Sequence, residues 1–235
     1  MSTELAARQA PPRKRTSVGR FWASTIGKKT VMAVTGLALV AFLFAHMLGN
    51  LKVFLGPAAL NEYAAWLRTI GEPAVPYGVF LWIMRVGLIV AVVLHITAAA
   101  QLSIRDRRAR PVRYVHGQRA RAGFVTSTMR WGGATLAVYV VWHILDLTVG
   151  VANRDFVDGD PYHNIQADFG VWWVNVIYIV ALLMLGLHLN HGFWSAARTL
   201  GVAGNAVRTV GTVVAVVITG GFLAVPIGVM TGLVA

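Results

Sequence analysis

The sequence predicts an all-α fold, an integral membrane bundle of five transmembrane helices with its N-terminus in the cytoplasm, and three observations predict it. Apolar residues fill 57% of the 235 positions and charged residues only 13%, against roughly 25% charge in a soluble domain. The apolar residues fall into five runs, 28–51, 76–104, 124–151, 169–196 and 207–232, each near or above the ~20 residues that a hydrocarbon core of ~30 Å requires. The basic residues gather in alternate connecting segments, as the positive-inside rule demands of a multi-pass chain.

The chain divides into a basic cytoplasmic segment, 1–27, and a membrane domain, 28–235. Arg13, Lys14, Arg15, Arg20, Lys28 and Lys29 precede an uncharged run from Thr30 to Leu51. That run is long enough to span, and no small-residue cleavage pattern follows it, so it is expected to be a retained first helix rather than a signal peptide. In the connector 55–73, Leu60, Ala64, Leu67 and Ile70 recur at near-helical spacing and predict a short helix over the outer mouth. The second span ends in RDRRARPVRYVHGQRAR (105–121), whereas 52–75 and 152–168 carry Glu62, Glu72, Asp155, Asp158, Asp160 and Asp168 with few bases. The N-terminus and 105–121 are therefore placed inside and the C-terminus outside. The fifth run has no His, Asp or Glu and is expected to face lipid or support packing.

The net charge of +12 would suit nucleic acid if it formed a stripe on a folded surface, but its placement in connectors excludes that reading. With no cysteine, the chain supplies neither a disulfide nor a thiolate ligand. Metal chemistry falls to histidine, carboxylate or methionine.

Four of the seven histidines lie inside the first four spans. At about 1.5 Å per residue from the cytoplasmic ends, His46 and His143 lie about 27 and 29 Å deep, and His95 and His188 about 12–14 Å deep. An imidazole in lipid is costly unless both nitrogens are satisfied. Either four separate interhelical hydrogen bonds satisfy them, or two facing histidines per layer ligate a low-spin b-type haem between helices one to four. In the second case Nε2 binds iron and Nδ1–H is held by a carbonyl or hydroxyl. Gly36, Gly87, Gly132, Gly133 and Gly186 either pack helices closely or make room for a flat macrocycle. Arg85, Arg130 and Lys52 are candidate partners for haem propionates, although Arg130 and Lys52 also suit snorkelling to headgroups. Asp146, one turn beyond His143, either pairs with Arg85 or handles a proton. His191 lies nearly on the face of His188 but about 4.5 Å nearer the cytoplasm, so it is expected to contact a propionate or a quinone rather than ligate.

These features resemble the diheme cytochrome b membrane-anchor subunit of succinate:menaquinone oxidoreductases, related to the anchor of fumarate reductases. The resemblance covers nearly the whole chain. It rests on GKKTVMAVTGLALVAFLFAHMLGNLKVFLGPAALNEYAAWLR (27–68), RVGLIVAVVLHITAAAQL with ARPVRY (85–102 and 109–114), TSTMRWGG (126–133), HI (143–144) and HLNHGFWSAARTLG (188–201). It implies two haems b, a distal one on His46 with His143 and a proximal one on His95 with His188. It also implies a flavoprotein subunit that oxidises succinate, an iron–sulfur subunit, menaquinone or another quinone as acceptor, and residence in a bacterial cytoplasmic membrane. Further anchor subunits or a higher oligomer stay open. Gly186 stands two residues before His188, and residues 169–235 hold no Asp or Glu, which departs from relatives that move protons along the fourth span.

Candidate quinone contacts are Ser127, Arg130 and His191 at an inner mouth, and Asn50, Lys52, Tyr63 and Asp146 at an outer one. Arg105, Arg107, Arg108 and Arg110 with His116 serve topology or dock the iron–sulfur subunit. The chain has no dinucleotide fingerprint and no room for a flavin domain, so succinate oxidation itself belongs to another subunit. Two other functions fit the same features: the anchor of a different quinone-linked dehydrogenase, and a haem-free transporter using histidine and Asp146 as a proton relay.

Overall fold

The computed structural model describes residues 16–109 and 119–234, with the backbone alone over 119–127. Among the described residues every regular element is helical. Helix α1 is Ser17–Ala23, capped by the Thr16 hydroxyl, which accepts from the Gly19 amide at 3.1 Å. Ser24 ends α1 and begins α2: its hydroxyl donates to the Phe21 carbonyl and accepts from the Gly27 amide, both at 2.8 Å. Helix α2, Thr25–Asn50, continues into a 3₁₀ turn over Leu51–Leu55. Gly56, at φ 93°, then turns the chain into α3, Pro57–Thr69, with Pro57 in the first turn where its missing N–H costs nothing. The short helix expected over the outer mouth is therefore present.

Helices α4 (Val79–Arg108), α5 (Arg119–Leu147), α7 (Trp172–Thr199) and α8 (Asn205–Met230) follow the apolar runs to within a few residues. Besides α1, which falls in the basic N-terminal segment, one short helix was not expected: α6, Pro161–Phe169, inside the acidic connector. Its signal is the pair Asp160–Pro161, an N-cap carboxylate before a first-turn proline. Asp160 accepts from the His163 amide at 3.0 Å and from the Asn61 side chain at 2.8 Å, while Asn61 in turn accepts from the Tyr162 amide at 3.1 Å. These bonds tie α6 to α3.

The expectation of five spans is corrected. Among the described residues four helices are long and apolar enough to cross a membrane, Thr25–Leu55, Val79–Arg108, Trp172–Thr199 and Asn205–Met230. The run placed over 124–151 forms a helix, α5, but its described part carries Arg130, paired glycines, His143 and Asp146, and these dilute its apolar content. The inference that the termini lie on opposite sides rested on an odd number of spans and falls with it.

Helix α4 packs along α2, α5 along α7, and α2 along α7, with α8 against both α7 and α2. One core, built from Met47, Leu182, Leu189, Ala215, Ile218 and Phe222, fills the α2–α7–α8 junction. A second closes the far end, where Val53, Leu60, Ile165, Phe169 and Val225 meet under α3 and α6. The outward face of α4 exposes Ile83, Val86, Ile89, Val90 and Val93. Water would penalise so large an apolar surface, and hydrocarbon accepts it.

Close packing of α7 on α8 depends on Gly186, where a Cβ would lie 2.8 Å from the Thr219 hydroxyl oxygen, whereas one at Gly87 would meet nothing within 4 Å. Gly186→Leu is therefore expected to destabilise the detergent-solubilised chain by about 1–3 kcal/mol in a thermal melt, with Gly87→Leu neutral by comparison. Asp160→Ala should cost about 1 kcal/mol. The backbone and Asn61 hydrogen bonds hold the Asp160 carboxyl below its usual value of 3.8. Its contribution is thus present above that value and lost as pH falls through the depressed one, so the cost of Asp160→Ala should shrink in melts at low pH.

Candidate functional site: histidine pairs across a helix gap

Helices α4 and α5 share no packed seam among the described residues; each lies on one flank of the α2–α7 pair. The histidines face the gap this leaves. His46 on α2 meets His143 on α5 with ring centroids 6.0 Å apart, and His95 on α4 meets His188 on α7 at 6.3 Å. The ring planes cross at 79° and 62°. Each pair joins two helices that have no packed seam with one another, α2 with α5 and α4 with α7. His143 and Gly133, the residue facing His188, are about ten positions apart on α5, which puts the two pairs about 15 Å apart along the bundle.

Hydrogen bonding fixes the tautomer of one member of each pair. His95 Nδ1 is 3.1 Å from the Met32 carbonyl and 3.3 Å from the Thr35 hydroxyl. A carbonyl only accepts, so Nδ1 carries the hydrogen and Nε2 keeps its lone pair. At the far pair, the Tyr178 hydroxyl donates to Asp146 Oδ2 at 2.8 Å and lies 3.3 Å from His143 Nδ1. With its hydrogen committed to the carboxylate, Tyr178 accepts from His143 Nδ1–H, again leaving Nε2 as a base. His188 Nδ1 is buried with no hydrogen-bond partner.

Two glycines let these rings approach. A Cβ at Gly36 on α2 would lie 3.2 Å from His95 Cε1, and one at Gly133 on α5 would lie 3.6 Å from His188 Cε1. Phe42 stacks on His46 at 5.3 Å, and Phe222 meets the same ring at 5.8 Å, tilted by 49°. Tyr139 stacks on His143 at 5.7 Å.

The remaining candidates separate. Arg85 is exposed, lies over the Trp82 ring at 5.0 Å and does not pair with Asp146. Asp146 is instead fully buried with Tyr178. Lys52 sits over the Tyr63 ring at 5.3 Å, and Tyr63 packs against Gly49, next to the half-buried Asn50. Asn50, Lys52 and Tyr63 thus form one group while Asp146 belongs to another. His191 and Arg130 are half-buried. Ser127, Arg110 and His116 lie outside the residues whose side chains are described. Arg105 donates to the Ala23 carbonyl at 3.0 Å and so fastens the end of α4 to α1, with Arg107 and Arg108 exposed beside it.

Sequence reasoning missed Thr35 and Tyr178. A signal for Tyr178 exists, since it and Asn175 are polar groups nearly one turn apart inside an otherwise apolar run and must therefore find partners in the bundle. Among the described residues no group of three or more His, Asp or Glu is placed to hold a metal ion, so each layer offers two imidazoles and no more.

Fold and site define an all-α, multi-span integral membrane protein whose helices carry paired histidines across an internal gap. No family model, curated protein or solved structure matches the chain.

Tyr178→Phe removes the donor that reaches Asp146 Oδ2 among the described residues and the acceptor for His143. It is expected to lower stability by about 1–3 kcal/mol, measured as a fall in the unfolding midpoint of the solubilised chain. The same change at Tyr63, which is half-buried, should fall within about 0.5 kcal/mol of the parent.

Proposed function

We propose that this chain is the diheme cytochrome b membrane anchor of a succinate:menaquinone oxidoreductase, lying in a bacterial cytoplasmic membrane and docked to a flavoprotein and an iron–sulfur subunit. The observation that carries the reading is the pairing of histidines across helices that otherwise stay apart. Two imidazoles that would hold one metal ion between them need ring centres roughly 6 Å apart, and the pairs lie 6.0 and 6.3 Å apart. The donor set fits the group. Neutral imidazoles suit low-spin iron, the hydrogen bonds at Nδ1 leave Nε2 free on His95 and His143, and the glycines at 36 and 133 keep the ring edges clear.

When bound, such haems supply one-electron transfer between a soluble donor and a membrane quinone. The chain's own part is positional. Met32 and Thr35 hold His95, and Tyr178 with Asp146 holds His143, so both rings present Nε2 to the gap. Phe42, Phe222 and Tyr139 exclude water around the far pair. A separation of about 15 Å between pairs divides a membrane of ~30 Å into shorter steps. The exposed Arg107 and Arg108, with Arg105, form a basic end suited to docking the soluble subunits.

A second reading, a haem-free proton-coupled transporter, draws on the link from His143 through Tyr178 to a buried carboxylate. It requires colourless protein, and haem content separates the two.

His188→Ala should remove one of two spectroscopically distinct b haems, whereas His191→Ala should retain both. The measurement is haem per chain, with low-temperature optical spectra of each purified complex. Two haems in the His188 variant, one in the His191 variant, or a colourless parent would each defeat the assignment.

A further inference from the structure

At the far end of the bundle the carboxyl groups of Asp146, on α5, and Asp168, on α6, face each other within side-chain hydrogen-bonding reach. Both are buried, with relative exposures of 0% and 3%. Asp146 Oδ2 is taken by the Tyr178 hydroxyl, and the carboxyls are left with Asp146 Oδ1 and Asp168 Oδ2 as buried acceptors that no donor reaches. Among the described residues the charged groups acting on Asp168 reduce to Asp146 itself, with no lysine, arginine or histidine. Two ionised carboxylates in contact, away from water and without a cation, repel strongly. A single proton placed between them supplies the missing donor, satisfies both acceptors and reduces the pair to one charge, onto which Tyr178 already donates.

We propose that Asp146 and Asp168 form a proton-binding site in which one proton is shared between the two carboxyls at neutral pH. The titratable groups around the pair are Tyr139 on α5 and Tyr178 on α7, with His143 reached through the Tyr178 hydroxyl. Burial and the neighbouring Asp146 push Asp168 up to about 8, in accord with a proton retained through the neutral range. On release the proton passes to the aqueous phase and both groups become carboxylates. On uptake the O–H···O bond between α5 and α6 is restored. The site stands apart from the haem proposal, since it uses neither histidine pair as a ligand and exists whether or not a cofactor is bound.

Infrared spectroscopy of the full-length solubilised chain, titrated in H₂O and D₂O, reads the site directly. The parent should show at neutral pH a protonated-carboxyl C=O band, sensitive to deuterium and equivalent to one carboxyl per chain, which disappears in a single alkaline step. Asp168→Asn should abolish the band, because the amide replaces the shared donor and leaves Asp146 ionised. Asp146→Asn should do the same and serves as the second reading if the first variant folds poorly. Absence of the band in the parent at neutral pH, its survival in either folded variant, or its loss on adding sodium at constant pH would overturn the proposal, the last by assigning the site to a metal cation. Loss of haem from either variant has no bearing on the band, so failure of this inference and failure of the haem reading are separately visible.

Discussion

A polar atom withdrawn from water must find a partner inside the bundle, and the organisation of this protein follows from how that requirement is met. The backbone meets it by forming helices throughout the apolar runs. Side chains within those helices meet it locally where they can: Thr35 donates to the Val31 carbonyl at 2.7 Å, and Asn175 donates to the Phe169 and Val171 carbonyls. Histidine is harder to satisfy in this way, because its two ring nitrogens point in different directions. Satisfying Nδ1 on a neighbouring carbonyl or hydroxyl sends Nε2 into the gap between α2, α4, α5 and α7. One ring of each pair, His95 and His143, is oriented in this way, and its partner ring on the facing helix meets it at 6.3 and 6.0 Å.

The same requirement explains why α5 differs from its neighbours. Its described part holds Arg130, His143 and Asp146 together with Gly132 and Gly133, and each of these lowers the apolar content that lets a helix stand in hydrocarbon by itself. Contact with α7 and α6 makes up for this. Tyr178 of α7 receives the hydrogen of His143 and gives its own to Asp146, and α6 brings Asp168 to the same carboxylate. The helix that carries the most polar chemistry is thus the one most dependent on its partners.

The sequence made the helical class, the positions of the apolar runs and the two matched histidine layers legible, because each is written in a local period or in depth counted along one helix. His46 with His143 and His95 with His188 could be paired on depth alone. Three things could not be read that way. The number of independently apolar spans depends on how charge is distributed within a run, and the 124–151 run met the length but not the composition. Arg85 was a reasonable partner for Asp146 by depth, yet it lies over Trp82 because rotation about the helix axis, which depth ignores, turns it outward. Asp168 lay in what read as an acidic connector, and only the folding of 161–169 into α6 carries it under the bundle to Asp146.

The two histidine layers are not equivalent. In the far layer His143 is oriented by a hydroxyl that is itself hydrogen-bonded to a carboxylate, and its partner His46 is packed against Phe42 and Phe222. In the other layer His95 is held by a neutral carbonyl and a threonine, and His188 has no partner at Nδ1. A hydrogen bond from an imidazole N–H toward a carboxylate makes the opposite nitrogen a stronger donor than a bond to a neutral carbonyl does, and it fixes the ring more firmly. His143 donates to a phenol hydroxyl and not to the carboxylate itself, so Asp146 acts on that ring only through Tyr178, whereas His95 donates to a neutral carbonyl.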